Sequence, residues 1–381
     1  MDFEITQEQQ ELKDRVVRFA RSKLNGDLLN EERNGQFSWE KWRLVAAFGI
    51  QGLCMPAEFG GSDYDLLTTV YAMESLGYGC HDNGLIFSIN GQMWSTQVPI
   101  LKFGTAEQKA RYLPVLVNGD LVAAHAITEE GSGSDAFNIR TSATKRRDRY
   151  IISGSETFIT NAPVAGLFIL FASVDRAAGA EGISAFLLEK DAPGFSVSNS
   201  FDKMGLRTSP MGEIFLDGCE IPESQRLGDE GAGIAIFNCA MNYERPCLLA
   251  ASIGTLQRQL ETCIARGRSW ERFGKPIGKF QSVSNRIVDK KVRLETARLL
   301  LYRTAWRMSR GERADTEAAM AKLYVSECAV QSSLDAIQIF GAAGYMSETG
   351  VERDLRDAVA GTIYSGTSDI QRLIIARHLG L

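Results

Sequence analysis

Apolar positions recur at helical spacing towards both ends of the chain and give way to short β-branched blocks in the middle. Leu12, Val16, Phe19 and Leu24 follow one helical face, and Thr6 with Gln9 ahead of them makes a capping box. Helices are predicted over 39–50, 65–76, 86–103 and 107–117, the last interrupted near its end by Pro114. The run Phe59, Gly60, Gly61, Ser62 reads as a loop. Past Asp120, the runs 150–152, 167–174, 183–188 and 213–216 are rich in β-branched and aromatic residues. Gly154, Gly182, Gly194 and Gly205 punctuate them, which predicts strands. From Gly231 onward helical segments return, over 234–266, 282–309, 316–340 and 370–379. Helices, then strands, then helices is a segregated order, so the expected class is α+β rather than alternating βαβ. The expected division is an N-terminal helical domain over 1–120, a central β domain over 121–228 and a C-terminal helical bundle over 229–381.

One stripe departs from this pattern. In FNCAMNYERPCLLAAS, Phe237, Met241, Glu244, Leu248 and Ala251 share a helical face. An ionised carboxylate among apolar neighbours is costly, so it is usually paired, neutralised or functional. The plain alternative is an ion pair with a neighbouring helix. Pro246 removes the amide that would reach the Asn242 carbonyl, which predicts a local kink.

Composition narrows the classes. The chain has 381 residues, a net charge of −5 and no long basic run, which argues against nucleic acid as a partner. No apolar stretch is long enough to span a membrane, and the start MDFEITQEQQ is polar and acidic rather than signal-like. Cys54, Cys80, Cys219, Cys239, Cys247, Cys263 and Cys328 are scattered without a Cys-x-x-Cys pair, as expected of reduced thiols in a cytoplasm. His81, His125 and His378 form no cluster, so no metal is expected. No Gly-x-Gly-x-x-Gly follows a strand, which argues against a Rossmann site.

Five stretches carry candidate chemistry. In AITEEGSGSD (126–135), Gly131 and Gly133 let backbone amides approach a ligand, and Ser132 and Ser134 add hydroxyls. His125 before it reads as a packed histidine. The others are FITNAP (158–163), SWERFGKPI (269–277), QIFGAAGY (338–345) and IYSGTSDIQR (363–372).

In this order and spacing the motifs resemble the acyl-CoA dehydrogenase flavoprotein family, over essentially the full chain. The resemblance implies a homotetramer with one FAD per subunit, and a helical domain, a β domain and a four-helix bundle in succession. It implies that Ile127, Thr128 and Ser134 meet the flavin and its pyrophosphate. Phe158 takes the place of a usual tryptophan against the flavin, and the Thr160 hydroxyl bonds at flavin N5. Gln281, Gln338, Gly341 and Ala342 are implied to bind the FAD of a neighbouring subunit, and Thr367 and Asp369 to close over the adenine end.

Four positions depart from the family pattern. Glu130 replaces a proline. Trp270 stands where an arginine often contacts the neighbour's pyrophosphate, leaving Arg268 or Arg272 to substitute, with Arg272 inside the motif. Ser365 occupies the usual position of the catalytic glutamate and is expected to be a bystander. A subset of the family, including isovaleryl-type enzymes, places the base on the bundle helix immediately before an arginine, and Glu244 followed by Arg245 matches that position. Asn242 replaces an aspartate that helps hold CoA. The set IYSGTSD, TNAP and YERPCLLAA is most similar to the prolyl-carrier-protein dehydrogenases of secondary metabolism. That similarity implies L-proline tethered to a peptidyl or acyl carrier protein as substrate and a pyrroline or pyrrole product. Glu244 is then the α-proton acceptor, with hydride transfer to flavin N5, and Asn242 and Arg245 lie on the substrate side. The alternative is a short- or branched-chain acyl-CoA dehydrogenase.

Overall fold

Amphipathic helices need a surface on which to bury their apolar faces, and a central sheet and a helical bundle supply it here. The structure is a computed structural model that describes residues 4–381. Seven helices come first: α1 (Gln7–Lys23), α2 (Leu28–Asn34), α3 (Trp39–Phe48), α4 (Leu66–Gly79), α5 (Asn83–Gln92), α6 (Val98–Phe103) and α7 (Ala106–Val117). The expected capping box opens α1, and a second one, at Thr105 and Gln108, opens α7. Pro114 lies inside α7 without ending it.

The strands follow: β1 (Ala123–Ala126), β2 (Ser142–Arg146), β3 (Arg149–Thr160), β4 (Leu167–Ser173), β5 (Ile183–Glu189), β6 (Phe195–Val197), β7 (Met211–Pro222) and β8 (Arg226–Leu227). They form one sheet in the order β6-β7-β3-β2-β4-β5-β8, with β1 parallel to β4. The last part is helical: α8 (Gly233–Cys247), α9 (Ala250–Ser269), α10 (Gln281–Ser309), α11 (Asp315–Phe340), α12 (Ala342–Tyr345), α13 (Val351–Ala360) and α14 (Ser368–His378). A small hairpin, β9 (Glu271–Arg272) with β10 (Lys275–Pro276), sits between α9 and α10. The architecture is α+β, as expected.

Two predicted helices need correction. The segment 234–266 is two helices, because Pro246 cannot donate to the Asn242 carbonyl and the chain turns at Leu248 and Leu249 before α9 begins. The segment 86–103 is a continuous helix, but Met93–Gln97 is wound as a π turn between α5 and α6. Pro99 has no N–H to give the Ser95 carbonyl, which favours a wider turn there.

One core cluster runs from α1 through the sheet into α10 and α11. Trp42, Trp94, Phe168, Phe171 and Phe186 are fully buried in it. Such a side chain contributes about 1.5–3 kcal/mol by leaving water. Helix α4 is locked against α9 at two glycines. A Cβ on Gly77 would stand 2.0 Å from the Ala251 carbonyl oxygen, and one on Gly254 would stand 2.0 Å from that of Glu74. This crossing fixes α9, and with it the end of α8 that carries Glu244.

Candidate active site

Glu244 projects from the last turns of α8 towards two other segments. Ser95, on the π turn, and Ser365, in the loop after α13, each donate a hydroxyl to it, one to each carboxylate oxygen. Met241 and Leu248 are buried beside it on the same stripe. Burial pushes the Glu244 carboxyl above its ordinary value. The Ser365 and Ser95 hydroxyls oppose that rise, followed by the charges of Arg245 and Lys322. Burial, and then the charge of Glu244, also push the Tyr364 phenol up. Ser365, which the sequence reading sets aside as a bystander, lies against the Glu244 carboxylate because its loop folds back onto α8.

That loop is pinned from several sides. Ser365 has a φ of 54°, a left-handed conformation uncommon for serine. Its carbonyl accepts from Gln371 Nε2 at 3.1 Å and from Arg245 Nε at 3.4 Å. The Gly366 carbonyl accepts from Lys322 Nζ at 2.7 Å and Gln371 Nε2 at 2.9 Å. Burial lowers the Lys322 ammonium to about 8, with repulsion from Arg245 second. Thr367 caps α14 by accepting from the Ile370 amide at 3.2 Å. Asp369, in the first turn of α14, is exposed. Asn242, on the opposite side of α8's end, donates to Asp315 at 2.9 Å.

The second group lies where the sheet meets α5. Gln92 accepts from the Ala123 amide at 2.9 Å, and Asn161 donates to the Ser88 carbonyl at 3.1 Å. Ile127 is buried just after β1, and the Thr128 carbonyl accepts from the Thr157 amide at 2.7 Å. The next turn is shaped by Glu129, whose carboxylate accepts from the amides of Arg140 and Thr141 at 2.6 Å each. Ser134 is exposed, and a Cβ on Gly131 or Gly133 would meet nothing within 4 Å.

The β3–β7 register slips between Glu156 and Ile159, a bulge that puts Phe158 at a φ of 59° and leaves it 61% exposed. Bulges re-aim side chains beside active sites. Thr160 ends the strand, half-buried, its methyl 3.9 Å from where a Cβ of Gly91 would stand. Ser95 follows Gly91 along the same continuous helix. An open backbone turn, an outward aromatic face and a strand-end hydroxyl are the donor set a flavin and its diphosphate need, so these residues fit FAD.

A third group gathers at the other end of the bundle. The β9–β10 hairpin turns through Phe273 and Gly274, both at positive φ, as two-residue hairpins require. Arg272 is exposed there and stacks 4.4 Å from the Trp270 ring centroid. Arg266 lies 3.6 Å from that ring and 5.3 Å from the ring of Phe340. Gln281, the first residue of α10, and Gln338, Gly341 and Ala342, around the end of α11, are all exposed. These segments share the smaller core cluster, with Ile277, Val283, Ile337 and Phe340 around it.

The chain matches the acyl-CoA dehydrogenase N-terminal domain over residues 6–120, the middle domain over 124–219 and the C-terminal domain over 231–380. It belongs to the acyl-CoA dehydrogenase family, whose members are FAD-dependent dehydrogenases of acyl thioesters. Among its relatives it is similar to the L-prolyl-[peptidyl-carrier protein] dehydrogenase of a Serratia species, 44% identical over 100% of this chain and 99% of that one. It is also similar to the crystal structure of the prolyl acyl carrier protein oxidase AnaB, with a TM-score of 0.98 and 46% identity over 99% of this chain and 100% of that one. The structure of PigA with FAD and proline has a TM-score of 0.98 and 43% identity, with both chains covered in full.

Sequence reasoning missed Ser95, Lys322 and Gln371. A single lysine inside the apolar run AAMAKLYV was a signal for Lys322. Ser95 carried none, since its placement depends on the π turn. His125 is packed, as expected, and burial lowers its imidazole to about 4. Among the described residues no group of side chains is placed to hold a metal, and no helix is long and apolar enough to cross a membrane.

Proposed function

We propose that this protein is an FAD-dependent dehydrogenase of L-proline held as a thioester on a peptidyl carrier protein, with Glu244 as the base that takes the α-proton. The observation that carries this reading is Glu244 itself, a carboxylate placed among apolar residues with a hydroxyl on each oxygen and an arginine next in sequence. The similarity to proteins that act on prolyl carrier substrates supports the choice of thioester.

The thioester acidifies the substrate Cα–H, because the resulting enolate puts charge on the carbonyl oxygen. Glu244 accepts that proton, and a base positioned in this way contributes about 10²–10⁴-fold. When bound, FAD supplies the two-electron acceptor for the hydride that leaves Cβ. Ile127, Thr128, Ser134, Phe158 and Thr160 would hold it, with Thr367 and Asp369 at its adenine end. Arg272, Gln281, Gln338, Gly341 and Ala342 would reach the FAD of a neighbouring subunit. Met241 and Leu248 exclude water from the base, and the Phe237 ring closes the same side against Phe137 at 5.2 Å. Asn242, which donates to Asp315, and Arg245, which donates to the Ser365 carbonyl, would lie on the substrate side. The Cα–Cβ double bond formed in a prolyl ring is an enamine. That enamine is already a pyrroline; return of a proton to Cβ with loss of the ring N–H proton gives its imine tautomer, and a second two-electron oxidation by reoxidised flavin would give a pyrrole. Seven free thiols fit a reducing cytoplasm as its place of work.

The test is anaerobic reduction of the bound flavin by prolyl-carrier protein, butyryl-CoA and isovaleryl-CoA, with mass spectrometry of the carrier. The expected result is fast reduction by the prolyl carrier alone, with loss of two or four hydrogens. Faster reduction by a free CoA thioester overturns the assignment.

A further inference from the structure

Glu244 is an unusual acid to find as a working base, because its surroundings penalise the charged form it needs. Met241 and Leu248 are at most 6% exposed, and Tyr364 couples to it without donating a hydrogen bond. The charged and titratable groups that couple to it are Arg245 on its own helix, Lys322 on α11 and Tyr364 beside the Ser365 loop. Lys322 donates to the Gly366 carbonyl and Arg245 to the Ser365 carbonyl, and neither cation is hydrogen-bonded to the carboxylate. Among the described residues the hydrogen-bond donors on the two Glu244 oxygens are both hydroxyls, one from the π turn and one from the loop after α13.

Both hydroxyls reach that point through unusual backbone. Ser95 rides a π turn, and π turns inside helices are frequent at functional sites. Ser365 holds a left-handed conformation, a local cost that persists only where the surroundings enforce it. Lys322, Gln371 and Arg245 enforce it by gripping the two carbonyls of Ser365 and Gly366. Two independent distortions of the chain thus converge on the same carboxylate.

We infer that Ser95 and Ser365 are a paired hydroxyl clamp that keeps Glu244 ionised and aimed at the substrate in a site too apolar to do so unaided. This inference rests on the reading of Glu244 as the base. The two serines are positioning residues: they act through Glu244, by hydrogen bonds to its charged form. A hydrogen bond to an ionised group favours that state and lowers the acid's pKa. The sign is fixed by this. Removing either hydroxyl raises the Glu244 pKa further, so the base stays protonated to higher pH. Activity is then lost on the acid side and recovered on the alkaline side.

The experiment uses the FAD-loaded enzyme with prolyl-carrier protein and four variants: Ser95→Ala, Ser365→Ala, Ser95→Thr and Glu244→Gln. The first readout is the pH dependence of anaerobic flavin reduction. The second is an infrared titration of the protonated carboxyl band that disappears in Glu244→Gln, recorded without substrate. Each alanine is expected to move both titrations upward by about one pH unit, which is roughly tenfold in rate below the limb. Ser95→Thr keeps the hydroxyl on helical backbone and is expected to restore the unmodified profile. If the alanine variants lower the rate equally at all pH values, or leave the carboxyl titration in place, the clamp is overturned. A folding defect in one serine variant leaves the other to decide, since either alone must shift the carboxyl band. Failure of the underlying reading looks different: Glu244→Gln would then reduce its flavin at the unmodified rate.

Discussion

Glu244 shows how a single residue collects a role from its neighbours. Its position on an apolar stripe was visible in sequence, but the hydroxyls that hold it come from Ser95 and Ser365, about 150 and 120 residues away in the chain. No local pattern announces such a pairing. Changing Glu244 to Gln keeps the shape and removes the proton acceptor. Flavin reduction by the prolyl carrier is therefore expected to fall by about 10²–10⁴ while FAD stays bound, as read by stopped-flow and by the visible spectrum. Glu156 supplies a contrasting carboxyl behind the 129–134 turn. It is fully buried, accepts only from the Thr141 hydroxyl at 2.7 Å, and its other oxygen has no partner. Burial pushes its pKa up to about 8, Thr141 opposes this, and the charge of Glu129 adds to it. With a folded pKa above the unfolded one, its stabilising contribution is complete below the unfolded value near 4.5 and is lost as pH rises through about 8. Glu156→Gln removes that dependence. The variant is expected to be more stable than the parent at pH 8, by roughly 1–3 kcal/mol, with the gap closing at pH 5, measured by urea unfolding at both pH values.

At the scale of elements, long periodic segments were legible and short or distorted ones were not. Helices α10 and α11 fall within one residue of their predicted bounds, because a repeating apolar face over many turns leaves little choice. Strand β1 reads AAHA and has no β-branched residue; it is a strand because β4 lies parallel beside it. The π turn before Pro99 and the Phe158 bulge are the two irregularities that shape the site, and a periodicity reading smooths over both. The α4–α9 crossing carries a prediction of its own. Gly254 lets α9 touch the backbone of α4, next to Glu74, which binds Arg298 at 3.0 Å and accepts from Tyr302 at 2.5 Å. A methyl there meets main chain and cannot rotate away. Gly254→Ala is expected to cost at least ~2 kcal/mol in urea unfolding and to slow flavin reduction as well, because α9 sets the end of α8. An unchanged midpoint would mean that the helices can separate freely.

For the whole molecule, the residues carried over from the family divide between two places, and that division bears on assembly. Glu244, Thr160 and Phe158 belong to the region where bundle, sheet and α5 meet. Arg272, Gln281, Gln338, Gly341 and Ala342 stand exposed around a separate small core. The sequence motifs named both sets but gave no sign that they would lie apart, since motif order carries no distances. A homotetramer, the assembly the family resemblance implies, would let the second set cover a neighbour's FAD and would account for their exposure. It also accounts for Val288, Val292 and Leu299 on α10, which follow one helical face and are 58%, 58% and 45% exposed. An apolar stripe of this kind on a long helix is the usual material of a subunit interface. The prediction is that Val288→Glu with Val292→Glu splits the assembly, read by light scattering, because burying two unpaired carboxylates against a partner is prohibitive. Neither residue belongs to the Glu244 or flavin groups, so the isolated subunit should fold. If the second set completes a neighbour's cofactor site, the dissociated variant will also bind FAD at least tenfold more weakly, measured by fluorescence titration of the apoprotein. A split protein that keeps full FAD affinity would separate assembly from cofactor binding and remove Gln281 and Gln338 from the site. An assembly left intact would place the interface elsewhere than α10.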